Sequence, residues 1–361
     1  MLASPGRPYT EVMHITSSHP SDEGDVRHFH TPSALCDPRH TVEIRATRIG
    51  GHAYRYFAEK ARSGRVVSIF RHGFNIVFDE ADDPTWIVVQ TPTVPLHPWA
   101  IEVPTVSGSV VVGTPAQVDD DSLILGLCSP HAPHATGYPL ASPTVDFGPR
   151  TVHSALRARD CGPRTPDALL AIHALHATCH ELRIAPYTSE EAARALSCLP
   201  LLERHVAEEG TRRPSDPFQA RMDTILECWR ATNDPAVSAD LVGLGIGSTP
   251  SGDDCLVGLT AGLNALSSVF ELAAGRLRLL RGWLTGDGKS VLSRTGTASR
   301  QAIEAALEGS CPEPLRLLLR DLGQRVDETR TCASARRVLA LGVTSGASML
   351  RGVCTAWRNL A

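Results

Sequence analysis

Gly243-Leu244-Gly245-Ile246-Gly247-Ser248-Thr249-Pro250-Ser251-Gly252-Asp253-Asp254 is the stretch on which the reading of this chain turns. It holds four glycines, three hydroxyl side chains, one proline and two adjacent carboxylates, and an apolar run from Cys255 to Leu266 follows directly. Glycines let a backbone turn tightly and come close to a ligand. Pro250 suits the position just before a helix, and Ser251 suits an N-cap. Leu256, Leu259 and Leu263 then fall on one helix face, with the small Gly258, Ala261 and Gly262 allowing close packing. The stretch predicts a glycine-rich loop feeding a helix N-terminus. Free backbone N–H groups and the positive end of the helix dipole make such a junction a natural anion site. The same residues also suit a plain turn before a helix, with Asp253 and Asp254 facing the dipole as ordinary first-turn residues. The spacing is not that of a nucleoside-triphosphate loop, because no lysine stands where the phosphates would need one. A dinucleotide fingerprint is excluded too, since the acidic pair sits inside the loop–helix junction.

Further along, Thr344-Ser345-Gly346-Ala347-Ser348-Met349-Leu350-Arg351-Gly352 echoes the loop: this segment and Pro250–Gly258 both read S-G-x-x-x-L-x-G. A third polar helix start, Arg294-Thr295-Gly296-Thr297-Ala298-Ser299-Arg300, brings two guanidinium groups and three hydroxyls. Arginine suits bidentate binding of phosphate or carboxylate. Three such starts in one region predict a shared anion pocket. Its expected binding residues are Gly245, Gly247, Ser248, Thr249, Gly252, Arg294, Thr295, Thr297, Ser299, Arg300, Thr344, Ser345 and Gly346. The plain alternative is that Ser-Gly before a helix is only a cap, twice over. Gly286-Asp287-Gly288-Lys289-Ser290 lacks the preceding glycine of a phosphate loop and reads as a turn.

Around this core the chain has 361 residues, enough for a large core or two domains, and a formal charge of −4 that gives no case for nucleic acid or an acidic membrane. No apolar run approaches the roughly 20 residues that span a bilayer, and residues 1–25 lack the apolar centre of a signal peptide. The expected location is cytoplasmic. The ten cysteines are scattered without metal-like spacing and read as core residues or free thiols.

The expected class is α+β, a β-rich domain (a small antiparallel sheet or barrel) followed by a mostly α-helical domain. Residues 1–40 read as a flexible extension, its His28, His30 and His40 being solvent-exposed side chains. Residues 41–150 carry the strand candidates Thr41–Arg48, Gly64–Phe70, Phe74–Phe78, Thr85–Gln90, Ala100–Val103, Ser107–Val112 and Leu123–Leu127, short and Val/Ile-rich. Arg71-His72-Gly73 reads as a tight turn, either a plain hairpin tip or one that points Arg71 and His72 into a site. Residues 128–165 form a loop-rich linker in which His131 and His134 lie close, a weak zinc signal without a third partner. Residues 165–361 read as helical, beginning with Asp167–Leu182. Next comes a helix to about Glu208 opened by the Thr188–Glu191 capping box. Asp216–Thr232, Pro235–Leu241, Arg276–Leu284, Ala298–Leu307, Pro314–Leu322 and Ala333–Leu341 follow.

The residues then carry a family resemblance. Gly243–Gly258 is similar to the loop GLGPGLTPSGDDFLVG of the bacterial AllH-type family, whose best-known members are subunits of oxamate carbamoyltransferase in allantoin breakdown. Arg65–Phe70 with Asn75-Ile76 resembles the family's early strand pair, Arg294–Ser299 its RTTxxS motif, and Leu341–Gly352 its GHTSGADxLxG motif. Here Ile246 and Ser248 replace the family's Pro and Leu, Gly296 a Thr, Val343 a His and Ser348 an Asp. The phosphate side of the pattern is thus kept while the acceptor side differs.

The resemblance implies transfer of a carbamoyl group between carbamoyl phosphate and a small amide or amine acceptor such as oxamate, within purine nitrogen metabolism, beside companion subunits. On that reading the glycine-rich loop, Arg294 and Arg300 hold phosphate. Gly252 N–H with Ser345 or Thr344 stabilises the oxyanion. Asp253, Asp254 and Ser251 form the catalytic group, with either carboxylate as the base or the pair holding Mg²⁺ on a phosphate. A kinase-like enzyme using the same loop with ATP and Mg²⁺, and a non-catalytic subunit completing a partner's site, remain the alternatives.

Overall fold

The computed structural model describes residues 41–59, 62–78, 84–106, 110–119, 122–127, 168–174, 177–212, 217–232, 234–286, 289–324, 327–358 and 360. The expected extension, the linker and its histidine pair, and Asp287-Gly288 lie outside the described residues.

The first half builds a sheet. Its strands are β1 (Thr41–Arg45), β2 (Arg48–Gly50), β3 (Arg62–Phe70), β4 (Gly73–Phe78), β5 (Thr85–Gln90), β6 (Ala100–Glu102), β7 (Pro115–Asp119), β8 (Ser122–Leu127), β9 (Ala168–His173) and β10 (Thr178–His180), with helix α1 (Gly51–Glu59) between β2 and β3. The ten strands run in the order β1-β9-β8-β7-β3-β4-β5-β6-β2-β10. Most neighbours are antiparallel, while β1 with β9, β5 with β6 and β10 with β2 are parallel. Strand formation follows from Val, Ile and Phe with Gly and Pro at the ends. Ile49, Phe74, Ile76, Phe78, Ile87, Leu123 and Leu125 share one buried cluster with Phe57 of α1. The sheet-forming expectation for the first half holds, and Arg71-His72 is a hairpin tip whose His72 Nδ1 lies 3.1 Å from the Thr93 hydroxyl.

Three local expectations fail. Asp167–Leu182 is not a helix: β9 is paired on both edges, to β1 and β8, and β10 pairs β2. Its apolar run is too short for periodicity to separate a helix from a strand. Thr41–Arg48 breaks at Ala46-Thr47 into two strands that sit far apart in the sheet order. Val110–Val112 forms no strand, and Pro115–Asp119 takes the place beside β3.

The helices that follow are α2 (Ser189–Ser197), α3 (Leu199–Arg212), α4 (Gln219–Thr232), α5 (Pro235–Ser238), α6 (Ser251–Leu266), α7 (Glu271–Thr285), α8 (Lys289–Leu292), α9 (Thr297–Leu307), α10 (Glu313–Gly323), α11 (Glu328–Leu339) and α12 (Ser345–Arg358). Thr188 and Glu191 form the expected capping box, and the predicted single helix breaks at Cys198 into α2 and α3. Seven described cysteines are free thiols.

Helix α6 is the axis. A single apolar face is expected, yet every residue of α6 except Asn264 is buried. Each buried leucine there contributes about 2 kcal/mol by leaving water. Helix α12 lies along α6, its Trp357 donating from Nε1 to the Gly262 carbonyl at 3.0 Å. The sheet joins the helices within the unit Asp37–Ala361. Arg48 bridges Glu102 and Glu313 of α10, and Trp86 N–H donates to Gln301 Oε1 of α9 at 2.9 Å. That last bond sets β5 beside the glycine-rich loop.

Candidate functional site

The loop before α6 is shaped by its glycines. Gly243, Gly245 and Gly247 have φ of 74, 132 and 100°, values that side chains rarely adopt. The loop folds back on itself, with Gly252 N–H donating to the Leu244 carbonyl at 2.8 Å. Pro250 is the N-cap and the helix starts at Ser251, with no side-chain cap. Ser251 is therefore not the cap expected from sequence; its hydroxyl donates to Thr344 Oγ1 at 3.2 Å. Gly252 N–H, expected to face an oxyanion, is held inside the loop.

The two carboxylates differ sharply. Asp253 is 1 % exposed and both its oxygens are engaged. Oδ1 accepts from Gly243 N–H at 2.8 Å and Oδ2 from the Thr295 hydroxyl. Burial pushes its pKa up, against the hydrogen bonds from Thr295, Gly243 and Ser299. Asp254 is 5 % exposed, and its Oδ2 is buried without a hydrogen-bond partner. Burial pushes its pKa up to about 8, with the Ser345 hydroxyl working against the shift and the Asp253 charge adding to it.

The echo is real in space. Before α12 the chain turns at Gly342 (φ 57°), and Gly346 N–H donates to the Leu341 carbonyl at 3.0 Å, as Gly252 does to Leu244. Thr249 Oγ1 lies 3.5 Å from Ser345 Oγ. Below these contacts the helices touch backbone to backbone. A Cβ on Gly258 would fall 1.9 Å from the Met349 carbonyl oxygen, and one on Gly352 2.1 Å from that of Cys255. Gly258 and Gly352 are the eighth residues of the two matched segments, and Cys255 and Met349 the fifth, so the contact is reciprocal. The S-G-x-x-x-L-x-G pattern is thus first a packing device that brings two helix N-termini together.

The third start meets the other flank of the loop. A cleft of about 260 Å³ is lined by Trp86, Gly243, Gly247, Ser248, Pro250, Arg294, Thr295, Gly296, Thr297 and Ala298. Arg294 is exposed at its rim, and Ser299 Oγ lies 3.5 Å from the Ser248 carbonyl. Helix α9 begins at Thr297 after Gly296, with no side-chain cap. Thr344 and Ser345 do not line this cleft; they meet the loop at Thr249 and Ser251. Arg300, on the first turn of α9, is half-buried and does not line it either. The expected single three-sided pocket is therefore two adjoining faces of one loop, with Asp253 tying the root of the loop to Thr295 on the cleft side. Among the described residues no cluster of three or more His, Cys, Asp or Glu could hold a metal ion. Of the acidic pair, only Asp254 Oδ2 lacks a protein partner. A larger groove of about 390 Å³ lies between α3, α4 and α12. Its charges pair with each other, Arg351 with Asp223 at 3.1 Å and Arg358 with Glu203 at 2.5 Å.

Comparison with known families follows the same division. The family model described as oxamate carbamoyltransferase subunit AllH matches residues 241–357, and that described as the AllH family N-terminal domain matches residues 45–136. Together they cover more than half of the chain. The chain belongs to the AllH family. Searches of curated proteins and of solved structures find no match.

In this AllH-family chain the C-terminal match holds all three helix starts, and the N-terminal match holds β2 to β8 of the sheet. Trp86, from the second of these regions, is the cleft residue that sequence reasoning missed. Its strand was legible, but nothing in the sequence says that β5 lies against α9.

Proposed function

We propose that this chain carries the carbamoyl phosphate site of a carbamoyltransferase. The supporting observation is the convergence of two glycine-bent loops, which set the N-termini of α6 and α12 side by side. Their hydroxyls are in contact, and an arginine-lined cleft lies next to them. Arg294 and the start of α9 suit the phosphate, through a guanidinium fork and unpaired helix N–H groups. The Ser345 and Thr344 hydroxyls suit the carbamoyl oxygen as charge develops there. An acidic partner stands behind them at Asp254. The acceptor is a small amide or amine, with oxamate the first to test.

Purified full-length chain given carbamoyl phosphate and oxamate should release inorganic phosphate and form the carbamoylated acceptor. Arg294→Ala should raise KM for carbamoyl phosphate about tenfold, the worth of a charge-assisted hydrogen bond, with an unchanged fold. Turnover that needs ATP and Mg²⁺ instead would replace this reading by the kinase-like one.

A second reading, that the chain works only beside companion subunits, has its own support. Ile246 and Val343, at the tips of the two loops, are 59 % and 73 % exposed. Apolar tips beside a polar site suit a surface covered by another protein. Turnover appearing only when the companion subunits are added would favour it.

A further inference from the structure

The core makes no use of Trp86. The chain has five tryptophans. Trp229, Trp283 and Trp357 pack into the helical core and Trp99 into that of the sheet, whereas Trp86 joins none of the hydrophobic clusters of the described residues. An indole is among the largest apolar surfaces a core can bury, so one left half-buried at the cleft calls for another reason. Side chains alternate along a strand: Ile87 and Val89 of β5 face the cluster shared with α1, and Trp86 faces the other way. Its place is fixed. Strand β6 pairs with Val88, Val89 and Gln90, so the Trp86 N–H lies past its end and donates instead to Gln301 of α9. The first residues of that same helix, Thr297 and Ala298, line the cleft. Strand and helix start are thereby held together. A Cβ on Gly247 or Gly296, both in the lining, would meet no atom within 4 Å, so the cleft is set but not packed shut. At about 260 Å³ it suits small molecules rather than a drug-sized one.

We propose that Trp86 is the acceptor-selecting residue of this site, its indole forming the wall against which a flat amide acceptor lies. The assignment rests on the carbamoyl-transfer reading. The cleft has two unlike sides. Arg294, Thr295 and Thr297 offer charge and hydroxyls, which suit the phosphate of the first substrate. The indole offers no charge and does little for a phosphate. It does offer a broad flat face, which suits a conjugated amide. Such an acceptor rests its face on the ring and keeps its nitrogen and oxygen edges for polar groups. The sheet thereby selects the acceptor, and the helix starts hold the anion.

Calorimetric titration of the full-length chain reads the role directly, with oxamate in the presence of inorganic phosphate as one probe and carbamoyl phosphate as the other. Trp86→Ala should weaken oxamate binding about tenfold, the worth of one aromatic contact, and change carbamoyl phosphate binding by less than about twofold. Trp86→Phe keeps a flat ring and should restore most of the oxamate affinity. In turnover, KM for oxamate should rise and KM for carbamoyl phosphate should not. The fold should survive, because no cluster loses a member and the bond to Gln301 comes from the backbone. A Trp86→Ala protein that binds oxamate like wild type, or that loses both ligands alike, overturns the assignment. So does a wild-type chain that binds no oxamate. If wild type binds oxamate and Trp86→Ala does not, yet carbamoyl phosphate gives no product, the role of Trp86 stands and the transferase reading alone fails.

Discussion

Asp254→Asn should make the protein more stable in mildly alkaline solution, and the size of the gain can be worked from the site. The side chain keeps its shape and loses its charge. In the folded protein burial holds the pKa near 8 against an ordinary value of 3.8. Folded protein therefore binds the extra proton between these values and unfolded protein does not. Wild-type stability from this group is complete below pH 4 and is lost as pH rises to about 8. Integrating the difference in bound protons from pH 5 to pH 8.5 gives about 4 kcal/mol. All other groups cancel when variant is compared with wild type. Urea titrations of both proteins at these two pH values read the result directly. The variant should gain on wild type by about 4 kcal/mol between the lower and the higher pH. A difference that stays flat with pH would refute the assignment of Asp254 as a buried, unpartnered acid.

Other changes probe the frame. Gly352→Ala places a methyl group 2.1 Å from the Cys255 carbonyl oxygen and 2.5 Å from Leu259 N, so α6 and α12 must separate. Thermal melting should show a loss of about 3 kcal/mol, and a wild-type Tm would mean that the helices do not cross there. Asp253→Ala leaves Gly243 N–H and the Thr295 hydroxyl without their acceptor. Chemical denaturation should register a cost of about 3 kcal/mol; a loss under about 1 kcal/mol would show that the clamp is unnecessary. Gly247→Ala meets no atom within 4 Å but keeps a φ of 100°. Its cost should be backbone strain alone, about 1–2 kcal/mol, read as a small fall in Tm.

Much of the site is legible as pattern and little of it as arrangement. Glycine, hydroxyl and carboxylate at Gly243–Asp254 announce a loop before a helix because few other backbones need those residues. The match at Ser345–Gly352 is visible by alignment. What the pattern cannot show is that Gly258 and Gly352 exist to let two backbones touch, since a packing glycine and a flexible one are the same letter. Nor does it separate Asp253 from Asp254. Adjacent carboxylates on a helix point about 100° apart, and one meets the root of the loop while the other meets α12. The strands β9 and β10 depart from the expected helix because distant pairing partners, β1 and β2 more than a hundred residues away and β8 about forty to fifty, decide the conformation of a short apolar run. Trp86 joins the cleft through a bond to Gln301, a contact between regions that the sequence does not connect.

The reciprocal glycine crossing of α6 and α12 also limits how the floor of the site can move. Where Gly258 and Gly352 meet the opposite backbone no side chain stands between the helices, so neither can yield there by changing a rotamer. The loop tips above differ, for Ile246 and Val343 stand exposed. The chain thus sets a fixed base beneath two exposed apolar tips.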